Sequence, residues 1–311
     1  MIAVAGEALI DLVVGTSGQV DARPGGGPYN AARTLARLDV PATFLGRLAG
    51  DGFGRLLHAR LTGEGVTPGL PGPSARPSTL AVATVDELGV ADYAFYLDGT
   101  AAADVSFEAL RDALPDGVTA LHVGTLGLVM EPVGSAVERL VLAGVPDDTL
   151  VLLDPNCRPR TVPDAAAYRA RISAIARRAD IVKASVEDLG YLYPEVPAEA
   201  AAKALLGAGP RLVLVTDGPH PARAFLPGAE LACEVPRVTV ADTIGAGDAF
   251  GGGFLAWWTA NNLTAADLSE RELAGQALRA AAAVAALTCA RPGADPPALA
   301  AVRAMGWWPD R

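Results

Sequence analysis

The nine residues Asp242–Phe250 bring two glycines and two carboxylates together just before a predicted helix that runs through Trp258. Gly245 and Gly247 have no side chains, so the backbone N–H groups beside them can approach an anion closely, and a helix N-terminus favours negative charge. Asp248 falls in the first turn of that helix, where its carboxylate can accept a proton or orient a hydroxyl group. On this segment alone a structural interpretation stays open, in which the glycines allow tight packing and Asp248 caps the helix.

Polar residues also follow several short apolar runs that the pattern predicts as strands. Loops at Gly124–Thr125, Asp154–Asn156, Lys183–Ser185 and Asp217–Gly218 each come directly after such a run. Ligands of an open parallel sheet bind beyond the carboxyl ends of its strands. We therefore expect these loops to meet around one site.

Three more polar residues have both a functional and a structural interpretation. The Asp11 carboxylate can accept hydrogen bonds from two adjacent hydroxyls, or it can be a solvated turn residue. Asn30 either binds a ligand or simply begins a helix. Arg158 either reaches an anionic group of a substrate or nucleotide, or forms a surface ion pair.

The elements that must position these residues alternate between strand and helix. From Ala120 onward, short apolar runs are separated by helical patterns at 132–143, 165–178 and 198–206. Such alternation predicts an α/β fold in which helices cover a parallel sheet.

The pattern differs between Gly63 and Thr100, where prolines punctuate the chain. Here 79–85 and 93–96 look like the two strands of a hairpin around a turn at Glu87–Gly89. We expect a small β element that is set apart from the core.

The composition limits the classes of protein. The 311 residues are 51% hydrophobic with a formal net charge of −10, which argues against a general nucleic-acid-binding protein with a basic face. The three cysteines are far apart and form no CxxC pair, so neither a disulfide framework nor a thiolate metal cage is predicted. The start of the chain lacks a basic n-region, and no uncharged apolar run of about 18 residues occurs, so we expect a cytoplasmic protein without a membrane segment.

Five further motifs, together with Asp242–Phe250, resemble those of the PfkB (ribokinase-like) carbohydrate kinase family. In chain order they are Gly25–Ala31, Gly46–Gly54, Asp154–Arg158, Thr216–Gly218 and Ala290–Ala294. The resemblance covers nearly the whole chain and implies a single kinase domain over residues 1–311. It also implies a ribokinase-like three-layer α/β/α core with a mostly parallel sheet, and a small β lid formed by about 12–24 and 67–101.

The resemblance also implies a reaction, the transfer of the γ-phosphoryl group of ATP to a sugar hydroxyl. Asp248 would be the base that faces this hydroxyl, and the backbone amides of Gly245, Ala246 and Gly247 would form the anion hole. Phosphoryl transfer depends mostly on positioning and on charge stabilisation, which backbone donors at a helix start can supply.

Family sugar contacts correspond to Asp11, Gly26 and Asn30. An aromatic residue of the hairpin, Phe95 or Tyr96, would project onto the sugar, and we assign Tyr96 to the site. Arg158 completes the expected substrate contacts.

Nucleotide contacts are expected at five positions, namely Lys183, Ser185, Thr216, Gly218 and Gly247. Mg²⁺ must accompany ATP. The family's N-x-x-E motif is replaced here by Ser185–Asp188, so either Glu187 or Asp188 would hold the metal.

Many family members also bind a monovalent cation near the anion hole. Asp242, the carbonyl of Ile244 and the turn at Gly293 match that place. Dependence on K⁺ is therefore a hypothesis for this chain.

The start Gly6–Asp11 and the segment Tyr93–Ala101 resemble fructokinase-like members. Leu97 replaces the basic residue that some relatives carry, so a neutral hexose, fructose, is the first choice of substrate. Kinases of 2-keto-3-deoxygluconate, ribose or nucleosides are the alternatives, and a catalytically silent sugar sensor on the same fold is a different class. The exposed face of the lid often pairs with a second subunit in the family, so a homodimer is expected.

Two other nucleotide-binding classes fit the chain poorly. Phe250 stands where a dinucleotide-binding motif needs its third glycine, and Gly253 stands where a P-loop needs lysine.

Overall fold

The computed structural model describes residues 1–85 and 91–308, and the predicted turn at Glu87–Gly89 lies outside them. The described strands are β1 (Ile2–Ala5), β2 (Leu9–Val14), β3 (Val20–Gly25), β4 (Ala42–Leu45), β5 (Thr67–Pro68), β6 (Leu80–Val85), β7 (Ala91–Tyr96), β8 (Ala120–Gly124), β9 (Leu150–Asp154), β10 (Ile181–Ser185), β11 (Leu212–Asp217), β12 (His220–Leu226) and β13 (Ala229–Cys233). The described α-helices are α1 (Gly27–Arg37), α2 (Gly52–Gly63), α3 (Phe107–Asp112), α4 (Val133–Ala143), α5 (Ala165–Arg178), α6 (Val186–Leu192), α7 (Ala198–Gly207), α8 (Ala246–Ala260), α9 (Arg271–Cys289) and α10 (Leu299–Ala304).

A large sheet forms the middle layer of the part of the chain that the structure describes. Its nine strands follow the order β13-β12-β11-β10-β9-β8-β1-β4-β5. From β11 to β5 all neighbours are parallel, whereas β12 and β13 are antiparallel additions at one edge. The predicted α/β class with a mostly parallel sheet is confirmed.

Helices cover both faces of this sheet, which gives three layers with a hydrophobic core on each side of the sheet. One core is formed with α1, α8 and α9 and buries Trp257 and Trp258 completely. The other is formed with α4, α5 and α7 and buries Leu140 and Ile175. Because residues 248–258 of α8 are all buried, the position of Asp248 in its first turn is fixed by the core. Over residues 1–85 and 91–308, no helix has both the length and the apolar character needed to cross a bilayer.

A second sheet, here called the small sheet, has the order β3-β2-β6-β7. Its central strands β2 and β6 are parallel, and β3 and β7 pair antiparallel at the two edges. The segments predicted at 79–85 and 93–96 are therefore strands, as expected.

The predicted start of the small β element at residue 67 is too early. Thr67 and Pro68 pair with Thr43 and Phe44 in the large sheet. The prolines of this region mark irregular chain, but they do not show to which sheet that chain belongs.

The antiparallel hairpin of β12 and β13 was not predicted from the sequence. Polar residues such as His220, Arg223 and Glu230 interrupt the apolar alternation of these strands. Pro221 also argues against a central strand, although it is tolerated here near the strand start.

Candidate active site

A cleft of about 780 Å³ opens between the small sheet and the loops that follow the strands of the large sheet. Its walls include the carboxylates of Glu7, Asp11 and Asp248 and the guanidinium groups of Arg158 and Arg160. Small-molecule sites of open α/β sheets lie at this edge, and a volume of several hundred cubic ångströms is typical of them. The loops that the sequence singled out at 124, 156 and 245–248 therefore meet at one place.

The loop before α8 is held in shape by Asp242. One of its oxygens accepts a hydrogen bond from the Ile244 N–H at 3.0 Å, and the other accepts one from the Gly293 N–H at 2.9 Å. Gly245 has a φ of 77°, and a Cβ at this position would lie 2.6 Å from the Cβ of Ala294. The glycine is thus required, and α8 begins with backbone N–H groups that no side chain covers. This geometry suits the binding of an anion.

Asp248 lies in the first turn of α8 and faces the cleft, with 7% of its surface exposed. The Asn30 side-chain amide donates a hydrogen bond to Asp248 Oδ2 at 2.9 Å. A Cβ on Gly27 would lie 3.1 Å from the other oxygen, Oδ1. One oxygen is therefore oriented by Asn30, and the carboxylate is in a position to accept a proton from a hydroxyl in the cleft.

The expected sugar contacts come together around this carboxylate. Asp11, Gly26, Asn30 and Arg158 all line the same cleft as Asp248. Burial raises the pKa of Asp11 to about 6, the charge of Asp248 raises it as well, and Arg158 lowers it. Arg158 also donates hydrogen bonds to the carbonyl groups of the two preceding residues.

A buried ion pair lies against the start of α8. The Lys183 Nζ donates to Asp154 Oδ2 at 2.9 Å, and the two side chains are 3% and 0% exposed. A Cβ on Gly247 would lie 2.9 Å from Lys183 Nζ. Burial by itself would lower the pKa of Lys183, but Asp154 and Asp188 raise it, so the ammonium stays charged. Burial raises the pKa of Asp154 to about 7, although Lys183 opposes this rise.

Glu7 connects three loops beside the cleft. Its side chain is 1% exposed and accepts hydrogen bonds from the Gly27 N–H at 3.0 Å and the Gly127 N–H at 2.7 Å. The Thr125 hydroxyl donates to the same carboxylate. Burial raises the pKa of Glu7 to about 7, against the lowering effect of these hydrogen bonds.

Tyr96 is not among the residues that line the cleft, so its assignment to the sugar site is corrected. Side chains alternate along β7, and Tyr93 and Phe95 face the cleft whereas Tyr96 is on the opposite face, 59% exposed. A difference of one position along a strand reverses the face. Of the two aromatic residues that the motif offered, Phe95 is the one at the cleft.

The two candidate metal ligands on α6 differ in their surroundings. Both Asp188 oxygens accept backbone hydrogen bonds, from Ser185 at 2.8 Å and from Cys157 at 2.6 Å. Asp188 thus completes a capping box with Ser185 and braces the loop after β9. Glu187 on the same turn is exposed.

The expected nucleotide contacts lie at the ends of neighbouring strands. Ser185 ends β10 and is in register with Thr216 of β11. Gly218 follows in a turn with a φ of 51°. These residues and Lys183 are not part of the cleft lining. They belong to β10, β11 and the turn after β11, which are three to four strands away from β1 in the order of the large sheet.

Several cleft residues were not assigned to the site from the sequence, among them Glu7, Thr125 and Tyr93. Tyr93 could have been found, because it is two positions from Phe95 and therefore on the same strand face. Thr125 follows a predicted strand end, which was the available indication. Glu7 stands in an apolar segment, and its hydrogen-bond partners are distant in sequence.

Comparison with known proteins agrees with this geometry. The family model described as "pfkB family carbohydrate kinase" matches residues 1–301. A fructokinase of Rhizobium leguminosarum bv. trifolii is 37% identical over 286 residues, covering 90% of this chain and 86% of the relative.

Solved structures agree as well. A fructokinase of Xylella fastidiosa with bound ATP superposes with a TM-score of 0.90 at 30% identity, covering 98% of this chain and 97% of the other. A fructokinase double mutant of Vibrio cholerae with fructose, ADP and potassium ion bound has a TM-score of 0.84 at 27% identity, covering 97% of each chain. The chain transfers phosphoryl groups to a sugar hydroxyl and belongs to the pfkB family of carbohydrate kinases, as a fructokinase-like member.

Proposed function

We propose that this protein is an ATP-dependent fructokinase, which transfers the γ-phosphoryl group of ATP to a hydroxyl of fructose. The observation that carries the proposal is the juxtaposition, at one cleft, of the Asp248 carboxylate with the first N–H groups of α8, which no side chain caps. The similar proteins of Rhizobium, Xylella and Vibrio are fructokinases, and the Vibrio enzyme was solved with fructose and ADP.

In this proposal the sugar lies between Asp11 and Asp248. The Asp11 carboxylate accepts hydrogen bonds from sugar hydroxyls, while Gly26 and Asn30 complete the contacts from the start of α1. Asp248 accepts the proton of the attacking hydroxyl, so that the oxygen can form its bond to phosphorus as the bond to the leaving ADP oxygen breaks.

Negative charge on the transferring phosphoryl group is stabilised by fixed donors. The proposed donors are the amides of Gly245, Ala246 and Gly247 at the start of α8, of which the Ala246 N–H also donates to the Thr243 carbonyl at 3.3 Å. The Lys183 ammonium lies directly against Gly247. Donors that are already in place need no reorganisation during the reaction. Stabilisation of the transition state by such fixed donors is typically the largest single contribution to catalysis. The rest of the nucleotide extends along the strand ends that carry Ser185, Thr216 and Gly218.

Mg²⁺ would have to share its ligands with the ATP phosphates. Within 1–85 and 91–308, no group of three or more His, Cys, Asp or Glu side chains is arranged as a metal site. Asp188 uses both oxygens in backbone hydrogen bonds, so the exposed Glu187 is the better candidate to hold the ion. When bound, Mg²⁺ neutralises phosphate charge.

A K⁺ site beside the anion hole is also part of the proposal. Asp242, the Ile244 carbonyl and the turn at Gly293 are the proposed ligands. Both Asp242 oxygens already accept backbone N–H groups, so the carbonyl oxygens would have to supply most of the coordination. The Arg23 guanidinium is 3.5 Å from Asp242 Oδ2 and partly exposed, so K⁺ would have to share this carboxylate with it.

The small sheet is proposed to act as a lid over the sugar. Tyr93 and Phe95 on its inner face contribute to the cleft, and closure would keep water from competing as acceptor. The outer face of the same sheet is proposed to pair with a second copy of the chain. A location in the cytoplasm, where ATP is available, completes the proposal.

An ADP-release assay with a panel of sugars tests the substrate. The panel contains fructose, ribose, 2-keto-3-deoxygluconate and a nucleoside, and fructose should have the highest kcat/KM. Preference for another member would contradict fructose and leave the kinase activity in place. Binding of sugar without turnover would instead indicate a sensor.

The Asp248→Asn variant tests the mechanism. An amide cannot accept the proton, so kcat should fall by about 10²- to 10⁴-fold while ATP binding persists. The exposed Asp112 of α3 provides the control, because Asp112→Asn removes a carboxylate outside the cleft. Turnover by Asp248→Asn close to that of Asp112→Asn would contradict the proposed base.

A further inference from the structure

Glu7 is a buried carboxylate whose recorded hydrogen-bond donors are all neutral groups. It is 1% exposed, at the end of β1, and two backbone N–H groups and one hydroxyl donate to it. A buried ionised group of this kind is unfavourable unless its hydrogen bonds compensate the lost hydration. Its place in the interior therefore calls for an explanation.

The helix α1 lacks a side-chain cap of its own. Its N-cap residue is Gly26, which makes no side-chain cap hydrogen bond, and Pro28 in the first turn has no N–H. Glu7 accepts the Gly27 N–H at 3.0 Å, so it supplies the missing acceptor from another part of the chain. A negative charge at this end also interacts favourably with the helix dipole.

The backbone around Glu7 is packed closely against the same helix start. A Cβ on Gly26 would lie 2.7 Å from the Glu7 carbonyl oxygen, and a Cβ on Gly127 would lie 3.2 Å from Glu7 Oε2. A Cβ on Gly27 would lie 2.3 Å from Thr125 Cγ2. The start of α1 and the turn at 125–127 are thus fitted to each other around this one carboxylate.

These two loops carry groups that face the reacting atoms. Gly26, Asn30 and Thr125 line the cleft, and Asn30 holds Asp248 through a hydrogen bond of 2.9 Å. The nucleotide contacts expected at Thr216 and Gly218 belong to β11 and the turn after it, four strands away from β1 in the large sheet. Glu7 is therefore connected to the sugar side of the site.

We propose that Glu7 is a positioning residue, which caps α1 from outside the helix and holds Gly26, Asn30 and Thr125 against Asp248. This inference rests on the sugar kinase activity proposed above. Loss of the carboxylate affects sugar binding and the orientation of Asp248, and it leaves ATP binding largely intact.

The Glu7→Gln variant tests this proposal, because the amide keeps the size of the side chain but presents an NH₂ group to one of the N–H donors. We expect the KM for fructose to rise about tenfold and the KM for ATP to stay within about twofold. Hydrogen exchange, followed by NMR, should accelerate about tenfold at the Gly27 or the Gly127 amide, whichever faces the NH₂ group and so loses its acceptor. A purely structural residue would alter neither the ratio of the two KM values nor these two amides selectively.

Two further variants distinguish the outcomes if Glu7→Gln is poorly folded. Thr125→Val should reproduce the rise in sugar KM, and Thr125→Ser, which keeps the hydroxyl, should restore it. Asp180→Asn is the matched control, because Asp180 also accepts a backbone N–H. It lies just before β10, where the parallel strands begin, whereas Glu7 lies beyond the end of β1.

Equal KM values, and equal exchange of both the Gly27 and the Gly127 amides, in Glu7→Gln and Asp180→Asn would overturn the inference. A parent protein that turns over no sugar would contradict the proposed function instead. The exchange of these two amides would still decide the role of Glu7 in that case.

Discussion

The Lys183 ammonium lies close to the backbone turn that begins α8. It touches both the Cβ position of Gly247 and the carboxylate of Asp154, each at 2.9 Å. A buried lysine without a partner would tend to lose its proton, so Asp154 keeps the positive charge in place. A phosphoryl oxygen at the anion hole would meet this charge together with the backbone N–H groups.

Replacing Lys183 by Met should therefore lower kcat by about 100-fold, because a charged donor to the transferring group is lost. Asp154 is expected to take up a proton in this variant, since burial already raises its pKa to about 7. Steady-state kinetics and a thermal melting curve measure activity and fold separately.

The control uses the only other lysine in the sequence, Lys203, which is exposed on α7. Lys203→Met should leave kcat unchanged. A kcat for Lys183→Met within about twofold of the parent value would show that the ammonium does not act on the phosphoryl group.

The raised pKa of Asp11 predicts a pH dependence of sugar binding. As the pH falls through about 6, the carboxyl takes up a proton and accepts hydroxyl hydrogen bonds less well, so the KM for fructose should rise. The protonation that weakens sugar binding has the opposite effect on the folding stability of the ligand-free protein, which it increases. Because the folded pKa lies above the unfolded value, this group makes the free energy of unfolding decrease between pH about 4 and about 6 as pH rises.

The measurement is a pH series of KM for both substrates, with Asp11→Asn for comparison. The variant should have a high fructose KM at every pH and no inflection near pH 6. The same inflection in parent and variant would assign the titration to a different group.

The site residues that the sequence predicted are those with a recognisable motif around them. Asp248 stands in a nine-residue string, and Asp154 and Lys183 follow predicted strands, so their convergence followed from the parallel sheet. Glu7 offered no such indication, because its backbone donors are 20 and 120 positions away in the sequence. Only the folded chain brings them together.

At the scale of elements, Asp51 joins the core to the small sheet. It caps α2 by accepting the Gly54 N–H at 2.8 Å, and it accepts both the N–H and the hydroxyl of Ser78 at 2.8 and 2.7 Å. Ser78 comes just before β6. One carboxylate thus fixes the base of the proposed lid to the end of a core helix.

Asp51→Ala should lower the free energy of unfolding by about 1–3 kcal/mol, since a helix cap and a link to a buried serine are lost together. Urea denaturation measures this change. Amide exchange in β6 should also become faster.

Asp164→Ala serves as the control, because Asp164 caps α5 through two N–H groups but has no recorded contact with the small sheet. It should destabilise the protein by about 1 kcal/mol without changing exchange in β6. Equal exchange in the two variants would contradict a role of Asp51 at the base of the sheet.

Elements with continuous apolar runs were predictable, because strands buried on both faces need little polar alternation. The helix Ala165–Arg178 has the predicted bounds, and β9 differs from its prediction by one residue. The hairpin β12–β13 was not predictable, since it is an edge addition with polar side chains. Whether Phe95 or Tyr96 faces the cleft depends on a difference of one position along β7, which a sequence motif does not determine.

At the scale of the whole molecule, the outer face of the small sheet has a row of apolar side chains. Ala22, Leu12, Val82 and Ala94 are in register across its four strands. Val20 and Tyr96 flank the row and are 55% and 59% exposed. Two such faces can pair about a twofold axis, which is the most common arrangement of homodimers.

The parent protein should therefore sediment with the mass of two 31.7-kDa chains. Ala94→Arg places a charge at the β7 end of the row, and because residue 94 is exposed, the monomer should fold normally. This variant should sediment as a single chain, since burying an unpaired charge opposes pairing.

Leu142→Arg is the matched control, because Leu142 is an apolar residue of α4 that is 49% exposed. It should remain dimeric. A parent protein that sediments as one chain, or dimers of Ala94→Arg, would contradict pairing through this face.

The scarcity of lysine has a practical consequence for biosensor work. Lys183 is shielded from solvent, whereas Lys203 is exposed on α7 and is not part of the cleft lining. Lys203 is therefore the lysine side chain that amine-acylating reagents can reach, and attachment through it would tether the enzyme to a chip or bead by α7, outside the cleft lining.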